Sequence, residues 1–172
     1  MKQKEFFDLA EEMEKKCGDW ENSEGMSEEA LAMLMKKADT DPAQRAVVAS
    51  AMTRAAETDS PAAAMELPDG TIVTGRTSEV LGACAALLLN ALKKIGGLPD
   101  DLHMISPIVL EPIQNLKTNH LGNRNPRLHT DETLIALSIS ASTNPMAHHA
   151  MEQLSKLRGC EVHSSVILSQ VD

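Results

Sequence analysis

Aromatic side chains are nearly missing from this sequence, which holds two Phe, one Trp and no Tyr in 172 residues. That removes the stacking platforms on which proteins that grip single-stranded nucleic acid rely. Positive charge is short as well: 16 Lys and Arg stand against 25 Asp and Glu, for a formal net charge of −9. A chain of that sign has no general basic field with which to release phosphate counterions, so nucleic acid is not an expected partner. Cysteine is sparse, and Cys17, Cys84 and Cys160 are odd in number and far apart. They make neither a disulfide framework nor a C-x-x-C metal knuckle, and reduced thiols in a cytoplasmic protein are the expectation. No apolar run approaches the length of a membrane span, and Met1 to Phe7 passes into acidic residues rather than into the apolar stretch of a signal peptide. The sequence also lacks His-Glu-x-x-His and any Walker-type glycine loop followed by Lys-Ser or Lys-Thr. No transition metal, no cofactor and no membrane contact are expected.

What is present suits one domain, or one domain with a helical appendage, since 42% of the residues are apolar and ten Met join many Ala and Leu to fill a core. Residues 1–60 read as an all-helical lead-in of three short helices. Phe6, Leu9, Ala10, Met13 and Cys17 recur at helical spacing up to Gly18; a second helix starts at Ser27; a third starts at Asp41-Pro42, where Asp caps and Pro takes the first position. Residues 61–172 read as an α/β domain. Pro68-Asp69-Gly70 between two β-prone runs predicts a hairpin. A helix over residues 78–95 is apolar nearly all round and is expected to be central and buried. Leu102 to Ile105 reads as a buried strand, residues 109–118 as a helix, residues 131–143 and 145–157 as two more, and residues 160–168 as a last strand. That order predicts a three-layer αβα sandwich with a mixed sheet.

The most chemically loaded stretch is His120-Leu121-Gly122-Asn123-Arg124-Asn125-Pro126-Arg127-Leu128-His129-Thr130-Asp131-Glu132. Its Gly, Asn and Pro are turn formers, and Thr130 is positioned as the N-cap of the helix that follows. Free backbone N–H groups at such a helix start, two planar arginine forks and two titratable histidines are the parts of a small anion site. His120, Asn123, Arg124, Arg127, His129 and Thr130 are its candidate residues. Asp131 and Glu132 support the opposite reading, a structural clamp in which the carboxylates hold the arginines, and both readings stand. His148 and His149 are adjacent on one helix, point about 100° apart and cannot chelate one metal together. His103 and His163 fall inside expected strands as core or edge residues, and Cys84 reads as a small core residue.

Three runs carry a specific likeness: LPDGTIVTGRTSEVLGACAALLLNALKKIGGLPDDLHMISP, EPIQNLKTNHLGNRNPRLHTDETLIALSISASTNP and GCEVHSSVILSQVD. They resemble the C-terminal part of uncharacterised protein family 0371, also called domain of unknown function 1846. The likeness covers the last two thirds of the chain closely, and members of that family are far longer. It implies that the chain is similar to a C-terminal portion without the large N-terminal region. The order DGTIVTG, then a helix opening GACAALLL, then a strand ending at Ser106-Pro107, is also similar to the cytidine-deaminase fold. The zinc chemistry of that fold is missing: Ala86 stands where its Glu would be, and Ile108, Val109 and Leu110 follow Pro107 in place of thiolates. Together these predict a metal-free, deaminase-like α/β domain that serves assembly and contributes part of a composite ligand site in a longer bacterial protein. Its expected partners are a second copy of the chain, the family's N-terminal region and a small anionic ligand. The alternative is an enzyme domain acting on a phosphorylated or carboxylated small molecule through the 120–132 loop.

Overall fold

The computed structural model describes residues 45–168, together with Met33, Lys36 and Lys37. The expected helices over residues 2–18 and from Ser27, and the Asp41-Pro42 helix start, lie outside the described residues. The chain divides into two compact units, Met1–Arg45 and Ala46–Asp172. The second opens with helix α1 (Ala46–Thr58) and continues through strands β1 (Ala62–Glu66) and β2 (Ile72–Arg76), then helices α2 (Ala83–Gly96) and α3 (Pro107–Asn115). A π-helical turn (Leu116–His120) follows, then α4 (Thr130–Ala141), α5 (Pro145–Glu152), a 3-10 turn (Leu154–Leu157) and β3 (Glu161–Ser164).

The hairpin forms where the turn chemistry puts it. The carbonyl of Leu67 accepts from the N–H of Gly70, whose φ of 81° only glycine adopts freely, and Leu67 N–H donates to Thr71 O at 2.9 Å. The carboxylate of Asp69 accepts from Thr71 N–H at 2.9 Å, which holds its pKa below the ordinary value. β1 is the centre of a three-stranded sheet in the order β2-β1-β3, with Ala63 opposite Gly75 on one side and Ser164 on the other. Both pairings are antiparallel, so the mixed sheet expected from the sequence is corrected: no parallel pair occurs within it among the described residues. A single parallel bridge, Leu81 to Leu128, lies outside the strands.

β1 reads Ala-Ala-Ala-Met because it is covered on both faces. Ala64 packs with Val47 and Ala51 of α1, while Ala63 and Met65 pack with Ala83, Leu87 and Ala91 of α2. Alanine there lets two helices approach one strand closely. α1 falls in the stretch read as a lead-in, yet it covers one face of this sheet. α2 meets the expectation of a central helix, since Leu87 is 1% exposed and Ala91 and Leu92 are 0% exposed. One of its faces meets the sheet; the other carries Leu88 and Leu92 into a cluster with Leu128, Ala136, Leu137, Ala147 and Ala150 from the helical side. Each of the large aliphatic side chains buried there contributes about 1.5–3 kcal/mol.

The strand expected at Leu102 to Ile105 is irregular chain. Met104 and Ile105 are consecutive and both enter the same core cluster, at 3% and 7% exposure, whereas a strand would send neighbours to opposite faces. The strand that a cytidine-deaminase order requires after this helix is therefore not formed. The helix expected over residues 109–118 starts earlier, at Ser106-Pro107, and gives way to the π turn, closed by Leu121 N–H to Leu116 O at 3.0 Å.

β2 touches α2 backbone to backbone at Gly75. A Cβ there would sit 2.1 Å from the Leu87 nitrogen and 2.7 Å from the Ala83 carbonyl oxygen, atoms that no rotamer change can move. Gly75→Ala is expected to cost at least about 3 kcal/mol, read as a lowered urea midpoint. Gly70→Ala, with nothing within 4 Å of its Cβ but a φ of 81°, isolates backbone strain. Its cost is expected to be about 1–2 kcal/mol.

Candidate functional site

The loop after the π turn is folded almost wholly onto its own backbone. Asn123 Oδ1 accepts from Asn125 N–H at 2.9 Å, and Asn125 Oδ1 accepts from Arg127 N–H at 3.1 Å, two successive side-chain turns. Asn123 N–H donates to Lys117 O at 3.0 Å. Leu128, fully buried, then bridges to the segment before α2: its N–H donates to Val80 O at 2.8 Å and its carbonyl accepts from Gly82 N–H at 3.0 Å.

A residue outside the expected set ties this loop down. Lys117, 4% exposed, donates from Nζ to the Arg127 carbonyl at 2.6 Å and to Glu132 Oε2 at 2.7 Å. The same carboxylate oxygen accepts from His129 N–H at 2.9 Å in a capping-box arrangement. The N-cap of α4 is thus His129, one residue before Thr130, which becomes the first helical residue. Asp131 Oδ1 accepts from Glu132 N–H at 2.7 Å. Two N–H groups at this helix start therefore already bond to the chain's own carboxylates, whose charge also suits the positive end of the helix.

The six candidate residues fare differently. Arg127 sends Nε to the Ser78 carbonyl at 2.6 Å. Arg124 and His120 are exposed, and their side chains make no hydrogen bond or ion pair among the described residues. Asn123 is spent on its turn, and His129 caps α4. Thr130 Oγ1 is buried without a hydrogen-bond partner. Glu132 is held by Lys117 rather than by either arginine. In the sequence Lys117 lies four residues after Ile113, on a row of apolar positions, and that spacing was the available signal for a buried lysine.

Beside the loop lies a cleft of about 300 Å³. α2 contributes Ala86, Leu89, Asn90 and Lys93, one stripe at helical spacing; the segment Leu102 to Ile105 and residues Ser78, Val80, Leu81 and Leu110 complete it. Ser78 belongs to the cleft wall and accepts the Arg127 bond, so the loop acts as a strut for this wall. His103, expected inside a strand, instead lies on irregular chain, exposed, at the cleft. Lys93 is 9% exposed and donates to the Asp100 carbonyl at 2.7 Å. Burial pushes its pKa below the ordinary lysine value, against the opposing pull of the Asp100 and Asp101 carboxylates. His148 and His149 sit on the exposed side of α5, each within 4 Å of Glu152, at 3.8 and 3.5 Å. Among the described residues no three His, Cys, Asp or Glu side chains gather to hold a metal ion, and no described helix is long and apolar enough to cross a membrane.

A family profile described as "Domain of unknown function DUF1846, C-terminal" matches residues 43–172. The chain belongs to this family. A protein of Corynebacterium aurimucosum named "UPF0371 protein" is 55% identical over 144 residues, 84% of this chain and 29% of that protein. One of Corynebacterium urealyticum is 54% identical over 142 residues, and one of Streptococcus pneumoniae serotype 19F 49% identical over 142 residues; each match covers 83% of this chain and 29% of the relative. The chain thus spans less than a third of the length of the curated relatives it matches.

The Lys117 to Glu132 pair makes a direct test of the strut. Glu132→Gln leaves a buried ammonium without its carboxylate and is expected to cost about 2–3 kcal/mol, less than a fully buried pair because Glu132 is 26% exposed. Arg124→Ala, on the same loop but exposed and without a side-chain hydrogen bond or ion pair among the described residues, is expected to stay within about 0.5 kcal/mol of wild type in the same denaturation experiment.

Proposed function

We propose that this domain is an assembly module of a longer protein, docking on the family's N-terminal region and supplying part of a composite ligand site. The observation that carries the reading is a domain that matches under a third of its relatives and leaves large apolar side chains in water. Ile135 and Ile139, at 58% and 51% exposure, stand one turn apart on the outer face of α4, while Thr133, Ala136, Leu137 and Ser140 face inward. Ile108, Leu116, Leu121 and Met146 are exposed as well, at 80%, 53%, 72% and 47%. A helix apolar on both sides is a helix with something on both sides. The occupant best matched to the outer side is the N-terminal region that the longer relatives carry. Left uncovered, the same face is expected to pair with a second copy of the chain.

The test is to mix the purified chain with the N-terminal region of the Corynebacterium aurimucosum relative and weigh the species by light scattering. Alone, the chain should run above 18.6 kDa, and the added region should convert it to a mixed complex. Ile135→Asp with Ile139→Asp should run as a monomer and bind nothing, with stability within about 0.5 kcal/mol because both sites are exposed. A wild-type chain that is monomeric and indifferent to the N-terminal region, or a variant that binds as wild type does, would overturn the reading.

The second reading keeps an anion at the 120–132 loop, supported by Arg124 and His120, whose side chains make no hydrogen bond or ion pair among the described residues. It requires phosphate, at ionic strength matched with chloride, to raise the melting temperature of wild type but not of Arg124→Ala with Arg127→Ala. At ~100-fold saturation the gain is about 2.7 kcal/mol by mass action. With Glu132 on the N–H of the N-cap His129 and Asp131 on that of Glu132, the expected outcome is the same response in both proteins.

A further inference from the structure

From the cleft beside α2 we infer a binding site for a small molecule with an anionic head and a short apolar body, Lys93 being the counter-charge of the head. The inference rests on the composite-site half of the assembly reading, although every wall of this cleft belongs to the described chain. At about 300 Å³ it matches the lower end of small-molecule sites, and its walls are aliphatic apart from a few polar groups, the usual make-up of such sites.

Lys93 is the group that needs explaining. An ammonium carries three donors, and Lys93, nine-tenths buried, spends one on the Asp100 carbonyl. Among the described residues no carboxylate forms an ion pair with it. Taking a charge out of water costs several kcal/mol unless an opposite charge and further hydrogen bonds offset it. Lys93 sits on the same helical stripe as Ala86, Leu89 and Asn90, all of which line the cleft. Asn90 is anchored by its Nδ2 to Thr74 O at 3.0 Å, which fixes this stretch of the wall against β2. His103, whose side chain has no hydrogen-bond partner among the described residues, adds a donor at the exposed edge. A carboxylate or phosphate ester on a chain of a few carbons meets the donors and the apolar wall: the anion at Lys93, the apolar body along Leu89.

Octanoate is the probe, with 1-octanol as the uncharged control and acetate as the tail-less one, followed by amide shifts in two-dimensional NMR of the full chain. Octanoate should saturate, with shifts centred on Ala86, Leu89, Asn90 and Lys93, and both controls should bind at least about tenfold more weakly, the worth of one charge-assisted hydrogen bond. Lys93→Met keeps the length of the side chain and removes its charge; it should weaken octanoate about tenfold and leave octanol unchanged. Leu89→Trp fills the cleft and should abolish both, which keeps the test decisive if Lys93→Met unfolds. Equal binding of octanoate and octanol, or a Leu89→Trp protein that binds octanoate as wild type does, overturns the inference. So does an absence of saturable shifts. The outer face of α4 enters none of these measurements, so failure here and failure of the assembly reading are separately visible.

Discussion

The contact on which the described fold depends is the one between the backbone of β2 at Gly75 and the backbone of α2 at Leu87. At that distance there is no room for a side chain, and α2 is held against the sheet by main-chain atoms as much as by Leu87 and Ala91. Once α2 is fixed, its other surfaces have defined tasks. Leu88 and Leu92 anchor α4 and α5 through Leu137, Ala147 and Ala150, while the remaining stripe, from Ala86 to Lys93, is left as one wall of the cleft. A helix that is apolar nearly all round is therefore needed here: it places fully buried side chains in both clusters of the core.

The opposite wall is held by polar chemistry. Leu128 bonds to Val80 and Gly82, Arg127 to Ser78, and Lys117 ties the start of α4 to the carbonyl of Arg127. These bonds are net worth about 1 kcal/mol each when made, but several times that when one partner of a buried set is removed. The loop thus resists change at Lys117 and Glu132 and tolerates it at Arg124. A polar, arginine-bearing loop of this kind looks like a ligand site in sequence because the residues that make good turns and good struts are the same ones that bind anions.

That overlap explains what the sequence could show. Hairpin, central helix, the helix start at Pro145 and the final strand were legible because each rests on local rules: a Pro-Asp-Gly turn, an apolar surround, a proline at the first helical turn, a β-branched run. The segment Leu102 to Ile105 was misread because apolar runs of four fit a strand and an irregular plug equally well, and the deciding fact, two consecutive side chains in one core, is tertiary. Glu132 was legible as a clamp, but its partner was not an arginine on the loop. It was Lys117, on a helix whose last turn widens to π geometry and carries that lysine into the interior.

Two buried lysines now stand side by side for comparison. Lys117, 4% exposed, has a carboxylate oxygen at 2.7 Å and a carbonyl at 2.6 Å; Lys93, 9% exposed, has a carbonyl at 2.7 Å and no carboxylate among the described residues. Residue type and burial are nearly equal, so desolvation charges both by similar amounts. The chain compensates one and not the other. It does so although it carries a surplus of acidic residues, and although Asp100 and Asp101 lie close enough to oppose the fall in the Lys93 pKa without pairing with it. Where compensation serves only the fold, as at Lys117, the partner is built in. Lys93 differs in lining a cleft, and that difference is what the proposed anion site rests on.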